Sequence, residues 1–363
     1  MKFIMIIKNV EEYNVKNESL SYSNIKGELF LNDKLIDDNY QFSGMFFENY
    51  LYYHPKNNTT NFVDLKTNKK KVTNCIFYKK NEFEGDFLTS KKIFKNANNE
   101  WESDLFLYST SNFSEIKQLP NVIGGFYRHK NFLIQIKNKK TISLKTIDLP
   151  ELLWQFNLET LGKFEDRDGN LQNYEVHKFI GAWQNSILVA CSGQLVLDIN
   201  SKTGELNRKW QALPGYGSSA FQGRLQHKIP STDGFQLDIS KSYLYHLAGA
   251  FLVTIDLVTG RADYQSLKKT LEEHIFSGFR WSTGYAEDET HIYTIAEMNR
   301  LELGLDYIPQ CIVAFNKKTL KIDWHYRFEG DWVKTDIPQL ANNKLYQLSG
   351  DNTLYIFEKE KSI

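Results

Sequence analysis

The run Glu165-Asp166-Arg167-Asp168-Gly169-Asn170 gathers oxygen-bearing side chains around a glycine turn, the arrangement a hard cation such as calcium requires. Its spacing falls short of a helix-loop-helix calcium loop, because Asp166-x-Asp168-Gly169 lacks one ligand pair and the later glutamate. It reads as a polar connecting loop, and no metal site is expected. The eight histidines form no H-x-x-x-H or H-E-x-x-H pair, so zinc has no ligand set. His177 and His246 lie in strand-like sequence, where a satisfied core or channel-facing imidazole is the simpler reading. No G-x-S-x-G elbow, Walker loop or G-x-G-x-x-G opening a helix is present, and Gly215-Tyr216-Gly217 follows Pro214 as part of a loop. No nucleophilic or nucleotide chemistry is indicated, and neither catalytic residues nor a cofactor are expected.

Residues suited to recognition are easier to find. Three connections far exceed tight turns: Gln211 to Asp238, Leu267 to Asp288 and Ala296 to Gln310. Long loops on a rigid scaffold usually carry function. These combine aromatic rings with charge at Tyr216, Phe221, Arg224, His227, Phe279, Arg280, Trp281, Tyr285, Glu287, Asp288 and Tyr307, the mixture found in protein-interaction hot spots. Phe279 and Trp281 have the alternative of being core residues of an inner strand. A further run from Asp323 to Trp332 holds Trp324, which fits a repeated strand, and Trp332, which does not, so Trp332 joins the candidate partner-binding set.

The elements that would position these residues repeat along the chain. Asn343 to Phe357 reads as a strand, a Gly-Asp-Asn turn and a second strand, a tight hairpin. Ser242 to Gly260 matches it and ends in Ile-Asp-Leu and a Thr-Gly turn, and Asn185 to Trp210 adds a further strand closing on tryptophan. His291 to Trp324 is a longer copy, while Asn49 to Lys71, Phe87 to Leu119 and Phe132 to Trp154 are blurred ones. Asp198, Asn200 and Thr203, or Asp256 and Thr259, can hydrogen-bond the turn backbone, and glycine there tolerates positive φ.

Repeat starts near residues 51, 87, 132, 187, 244, 292 and 345 have the spacing of propeller blades. The expectation is an all-β fold: one domain over 1–363, a seven-bladed β-propeller of four-stranded antiparallel blades, with eight blades as the alternative. Residues 1–8 supply a lone strand, Lys2 to Lys8, expected to complete the last blade and close the ring. Residues 11–40 are an elaborated first blade or half of an eighth. Ser266 to Phe276 has apolar residues at helical spacing, Leu267, Leu271, Ile275 and Phe276, and predicts a short helix.

The pattern of strand, Gly-Asx turn, L-x-x-[IL]-[DN]-x-x-T-G and terminal Trp, clear over about 185–360, resembles the quinoprotein-type (PQQ-like) β-propeller repeat. Enzymes of that kind, the resemblance implies, hold their quinone and a calcium ion with an adjacent cysteine pair. Here Cys75, Cys191 and Cys311 are far apart, so the enzyme's cofactor signature is missing and the resemblance speaks for architecture.

Charge and location follow. Forty-four basic residues balance 44 acidic ones, which removes any strong overall field toward nucleic acid or an anionic membrane. The lysines between Lys56 and Lys80 read as a solvated turn. Three widely separated cysteines with no pairing pattern fit reduced core thiols, the apolar run at Phe3 to Ile7 is too short for a signal peptide, and no run spans a bilayer; a cytoplasmic monomer is expected. The leading reading is a non-catalytic protein-binding propeller, concretely an immunity or inhibitor-type protein acting through loops on one face. The alternative is a carbohydrate binder or enzyme using the axial funnel.

Overall fold

The computed structural model describes residues 1–38, 40–55, 59–83, 86–147, 151–166, 169–211, 234–280, 284–328, 332–334 and 337–359. They form eight antiparallel sheets of blade type, so the blade count is the alternative eight and not seven. The additional blade is the N-terminal region: Val10–Lys16, Ser19–Asn24, Leu29–Leu31 and Lys34–Asp37 make a complete four-stranded blade 1, neither elaborated nor half. Its second strand, SLSYSN, is rich in serine and its third is three residues long, which hides the repeat from a search for apolar runs. Asn32 and Asp33, with φ of 47° and 64°, turn its last hairpin.

The seven repeats read from the sequence are blades 2 to 8. Counted outward from the ring axis, the strands of blade 5 are Val176–Trp183, Ser186–Cys191, Leu195–Asn200 and Leu206–Trp210. Blade 6 comprises Gln236–Asp238, Tyr243–Ala248, Phe251–Asp256 and Ala262–Ser266. Blade 7 starts with Phe276–Phe279, resumed as Ala286–Glu287, and continues with His291–Met298, Gln310–Asn316 and Ile322–Arg327. In blade 3 the second strand is broken: Asp86–Ser90 and Ile93–Lys95 pair end to end along one side of Trp101–Ser109, and Glu115–Ile123 pairs along the other.

Blade 8 closes the ring. Gln339–Ala341, Lys344–Leu348 and Leu354–Glu358 are followed outward by Lys2–Ile7, with Lys2 opposite Glu358 and Ile7 opposite Leu354. The closing strand is where residues 1–8 were expected to place it.

Middle strands are buried on both faces because each blade packs between two others, and they therefore read as continuous apolar runs rather than alternating ones. SILVAC at 186–191 is buried throughout. The core sits between blades: Ile134, Ile142 and Leu144 of blade 4 pack on Ile187, Val189 and Leu197 of blade 5. Cys75, Cys191 and Cys311 are buried in this core and none is in a disulfide, and burial raises all three above the ordinary thiol range, Cys311 to about 12.

The turns between third and fourth strands repeat one device. Asp64, Asn200, Asp256 and Asn316 each accept backbone N–H bonds from the residues two and three positions on. Outer strands tie two of these turns to the preceding blade. Trp154 Nε1 of blade 4 donates to Ser201 O at 2.8 Å, and Trp210 Nε1 of blade 5 donates to Gly260 O at 2.9 Å. Lys71 donates to Asn112 O while lying over the Phe113 ring, a contact from blade 2 to blade 3, while residues 66–72 around it are exposed, as a solvated turn would be. Blade 6 ends without a tryptophan, and Thr270 Oγ1 reaches Leu320 O at 2.9 Å instead. Thr270 sits on the helix Lys268–Glu272, shorter than the segment expected, since Ser266 and Phe276 belong to the flanking strands.

Candidate functional site

Strand direction gives the ring two faces. One carries the turns between first and second and between third and fourth strands; we call it the turn face. The other, the link face, carries the turns between second and third strands and the connections from blade to blade. The candidate residues divide between them.

On the link face, blade 7 replaces a tight turn with residues 299–309. Their own bonds hold them: Asn299 Nδ2 donates to Glu302 Oε1 at 2.9 Å, Leu305 N to Arg300 O at 2.9 Å and Arg300 Nη1 to Asp306 O at 3.2 Å. The Tyr307 hydroxyl accepts from Arg327 Nη2 at 2.8 Å. Gln310, which ends the insertion, accepts at Oε1 from Arg280 Nη1 at 3.1 Å and from Val333 N at 2.9 Å. Arg280, Tyr307 and Trp332 are thereby brought into one neighbourhood. Trp332 lies against Gly350, whose position has no space for a Cβ, and Gly350 N donates to Trp332 O at 2.9 Å. Apolar surface remains open around them: Leu301 is 82% exposed, Trp332 53% and Ile308 44%.

On the turn face, Glu287 ends the resumed inner strand of blade 7 and Asp288 follows it. Glu287 pairs with Lys317 at 2.5 Å and accepts a bond from the Tyr245 hydroxyl; burial first, and this bond second, raise that phenol far above its usual range. Asp288 is a junction. Its Oδ1 accepts from Thr290 N and His291 N at 2.8 Å each, and its Oδ2 from Tyr293 Oη at 2.8 Å and from Lys359 Nζ, which follows blade 8. Burial alone would push this carboxyl up; the Lys359 ammonium and the other donors outweigh it and hold it well below the usual carboxylate range.

Tyr285 is half-buried between blades 6 and 7. Its hydroxyl receives Leu247 N and donates to Leu247 O, both at 2.8 Å, and lies 2.6 Å from His246 Nδ1. His246 is thus a core imidazole, fully buried. Phe279 is buried as an inner-strand core residue, the alternative given for it. Tyr216, Phe221, Arg224, His227 and Trp281 lie outside the described residues. Within the run at 165–170, Arg167 and Asp168 do as well, while Asp166 Oδ1 accepts Asn170 N at 2.9 Å in the turn between Lys163–Glu165 and Leu171–Asn173.

Sequence reasoning passed over Leu301, Ile308 and Gln310 on the link face, and Lys317 and Lys359 on the turn face. Leu301 had a readable signal, an apolar residue inside a polar insertion. Lys359 had none, because its role comes from ring closure.

No family model matches the chain, and no curated protein sequence matches it. Solved structures do. The crystal structure of Saccharomyces cerevisiae Sqt1 is 9% identical, covers 99% of this chain and 99% of its own, and has a TM-score of 0.61. The computationally designed Ika8 protein is 10% identical over 97% of this chain and 96% of its own, with a TM-score of 0.55. BamB from Moraxella catarrhalis is 12% identical over 98% and 99%, with a TM-score of 0.42. At such identities the likeness to Sqt1 and Ika8 is one of fold alone. No helix among the described residues is long and apolar enough to cross a membrane.

Proposed function

We propose that this chain is a non-catalytic protein-binding propeller whose partner docks on the link face of blades 7 and 8. The observation that carries the reading is the insertion 299–309, ordered by its own hydrogen bonds yet presenting Leu301 and Ile308 to solvent beside Trp332. An ordered loop that exposes large apolar side chains next to arginine and aromatic rings has the composition of an interface centre rather than of an ordinary surface. Arg280 and Tyr307 supply polar anchors at its edge. An immunity or inhibitor-type role fits, the face serving to cover a partner's working surface.

Two finer assignments belong to the same reading. The turns at Asn200 to Gly204 and Asp256 to Gly260, with their Asx and Thr residues, support a quinoprotein-type repeat. Buried cysteines outside any disulfide support a reducing compartment such as the cytoplasm.

Affinity capture from native lysate with mass spectrometry, run with the wild type and with Leu301→Asp combined with Trp332→Ala, tests the assignment. A partner retained by the wild type and lost by the double variant is expected, since central contacts each contribute about 2 kcal/mol. Capture that the two substitutions leave unchanged, or no reproducible partner, defeats it.

A further inference from the structure

Between blades 6 and 7, on the turn face and so opposite the proposed docking surface, the chain holds a crevice of about 160 Å³. Tyr245, Leu252, Ile292 and Phe315 form its apolar floor, and Tyr243, 37% exposed, lines its side. Two ion pairs stand at its rim: Asp238 with Lys241 at 3.3 Å, and Glu287 with Lys317 at 2.5 Å. The rim is therefore electrically balanced while dense in both acceptors and donors. The wider crevice between blades 4 and 5, about 390 Å³, differs in kind: Lys130 and Lys202 line it with no carboxylate.

Size and chemistry restrict what fits. A cavity near 150 Å³ takes about one six-membered ring. A singly charged ligand meets Asp238 and Glu287 together with Lys241 and Lys317, so the balanced rim gives neither sign of charge a net attraction. A carboxylate has about four acceptor sites and an ammonium three donors, so the paired rim groups keep capacity for further hydrogen bonds. A neutral ring bearing hydroxyls around its edge and C–H bonds on its face satisfies rim and floor together, the face lying on aromatic carbon.

We propose that the crevice between blades 6 and 7 binds a single pyranose, its C–H face against Tyr243 and Tyr245 and its hydroxyls on Asp238, Lys241, Glu287 and Lys317. The site is built by inner turns and middle strands of two blades and does not use the ring axis, where sequence reasoning had placed a sugar.

Saturation-transfer NMR on the full chain, with free glucose, galactose, mannose and phenylalanine at millimolar concentration, tests the site. Tyr243→Ala and Lys241→Ala are the variants, since Tyr243 lies outside the buried core clusters and the Lys241 side chain is 61% exposed, so their loss leaves the core packing in place. Transfer to the ring protons of at least one hexose is expected, with affinity about tenfold weaker in Tyr243→Ala, the effect of losing one aromatic contact. Transfer to no hexose, transfer unchanged by Tyr243→Ala, or stronger transfer to phenylalanine than to any hexose overturns the proposal. None of these outcomes bears on partner capture through Leu301 and Trp332, so the two readings fail separately.

Discussion

Asp288 shows how one carboxylate can join two blades. It accepts hydrogen bonds from the backbone and hydroxyls of blade 7 and from the Lys359 ammonium beyond blade 8, and these donors hold its pKa below that of an unfolded aspartate, near 3.9. A group with a lowered folded-state pKa stabilises the fold above the unfolded pKa, and that contribution drains away as pH falls through the folded one. Urea unfolding should therefore find Asp288→Asn weaker than wild type by about 2 kcal/mol near neutral pH. The gap should narrow as the pH is lowered below about 4. A gap that stays constant with pH would refute the assignment. Residue types alone placed Tyr285, Glu287 and Asp288 in one class of surface contacts. Their roles differ because partners at Leu247, Lys317 and Lys359 arrive from other blades, and pairings across blades leave no trace in local sequence.

At the level of the element, the turn between third and fourth strands was the most legible feature. Asx and Thr at fixed spacing, followed by a residue able to take positive φ, describe the turn backbone completely, and Asn200 to Gly204 behaves accordingly. Blade 1 was less legible because its strands are short and serine-bearing, so apolar runs understate it. The helix was overextended because Leu267 and Phe276, at helical spacing, face the same core from a loop and a strand. What the turn motif did not disclose is that the preceding blade packs on it. Gly204 has φ of 76°, and a Cβ there would come within 2.8 Å of the Trp154 ring; Gly27 has φ of 82° with open space around it. Gly27→Ala should lose about 1 kcal/mol, the backbone cost of the left-handed region, whereas Gly204→Ala should lose about 2 kcal/mol or more. Equal losses in denaturant titrations would remove the Trp154 contact from the account.

Across the whole molecule, eight blades share one chain but only blade 8 draws on both of its ends. The apolar strand Lys2–Ile7 was legible as a closing strand because the final repeat lacked its fourth strand. The number of blades was not, since spacing counts only the repeats that can be recognised. Lys2 and Glu358 stand opposite each other across the closing pair, within the separation a disulfide can bridge. Oxidised Lys2→Cys/Glu358→Cys should melt at higher temperature than its own reduced form, because the bridge closes almost the entire chain into a loop. An unchanged melting temperature on reduction would argue that the ring opens elsewhere first.

The same closure has a consequence in time. Lys2–Ile7 emerges from the ribosome well before Leu354–Glu358, and four of its side chains, Phe3, Ile4, Met5 and Ile6, remain 40–46% exposed even when it is paired. During synthesis this apolar segment has no native edge to join, and its eventual pairing is the most non-local contact in the fold. The strand that seals the finished ring is the one that waits longest for a partner, so the nascent chain, rather than the folded protein, carries the greater hazard of pairing wrongly.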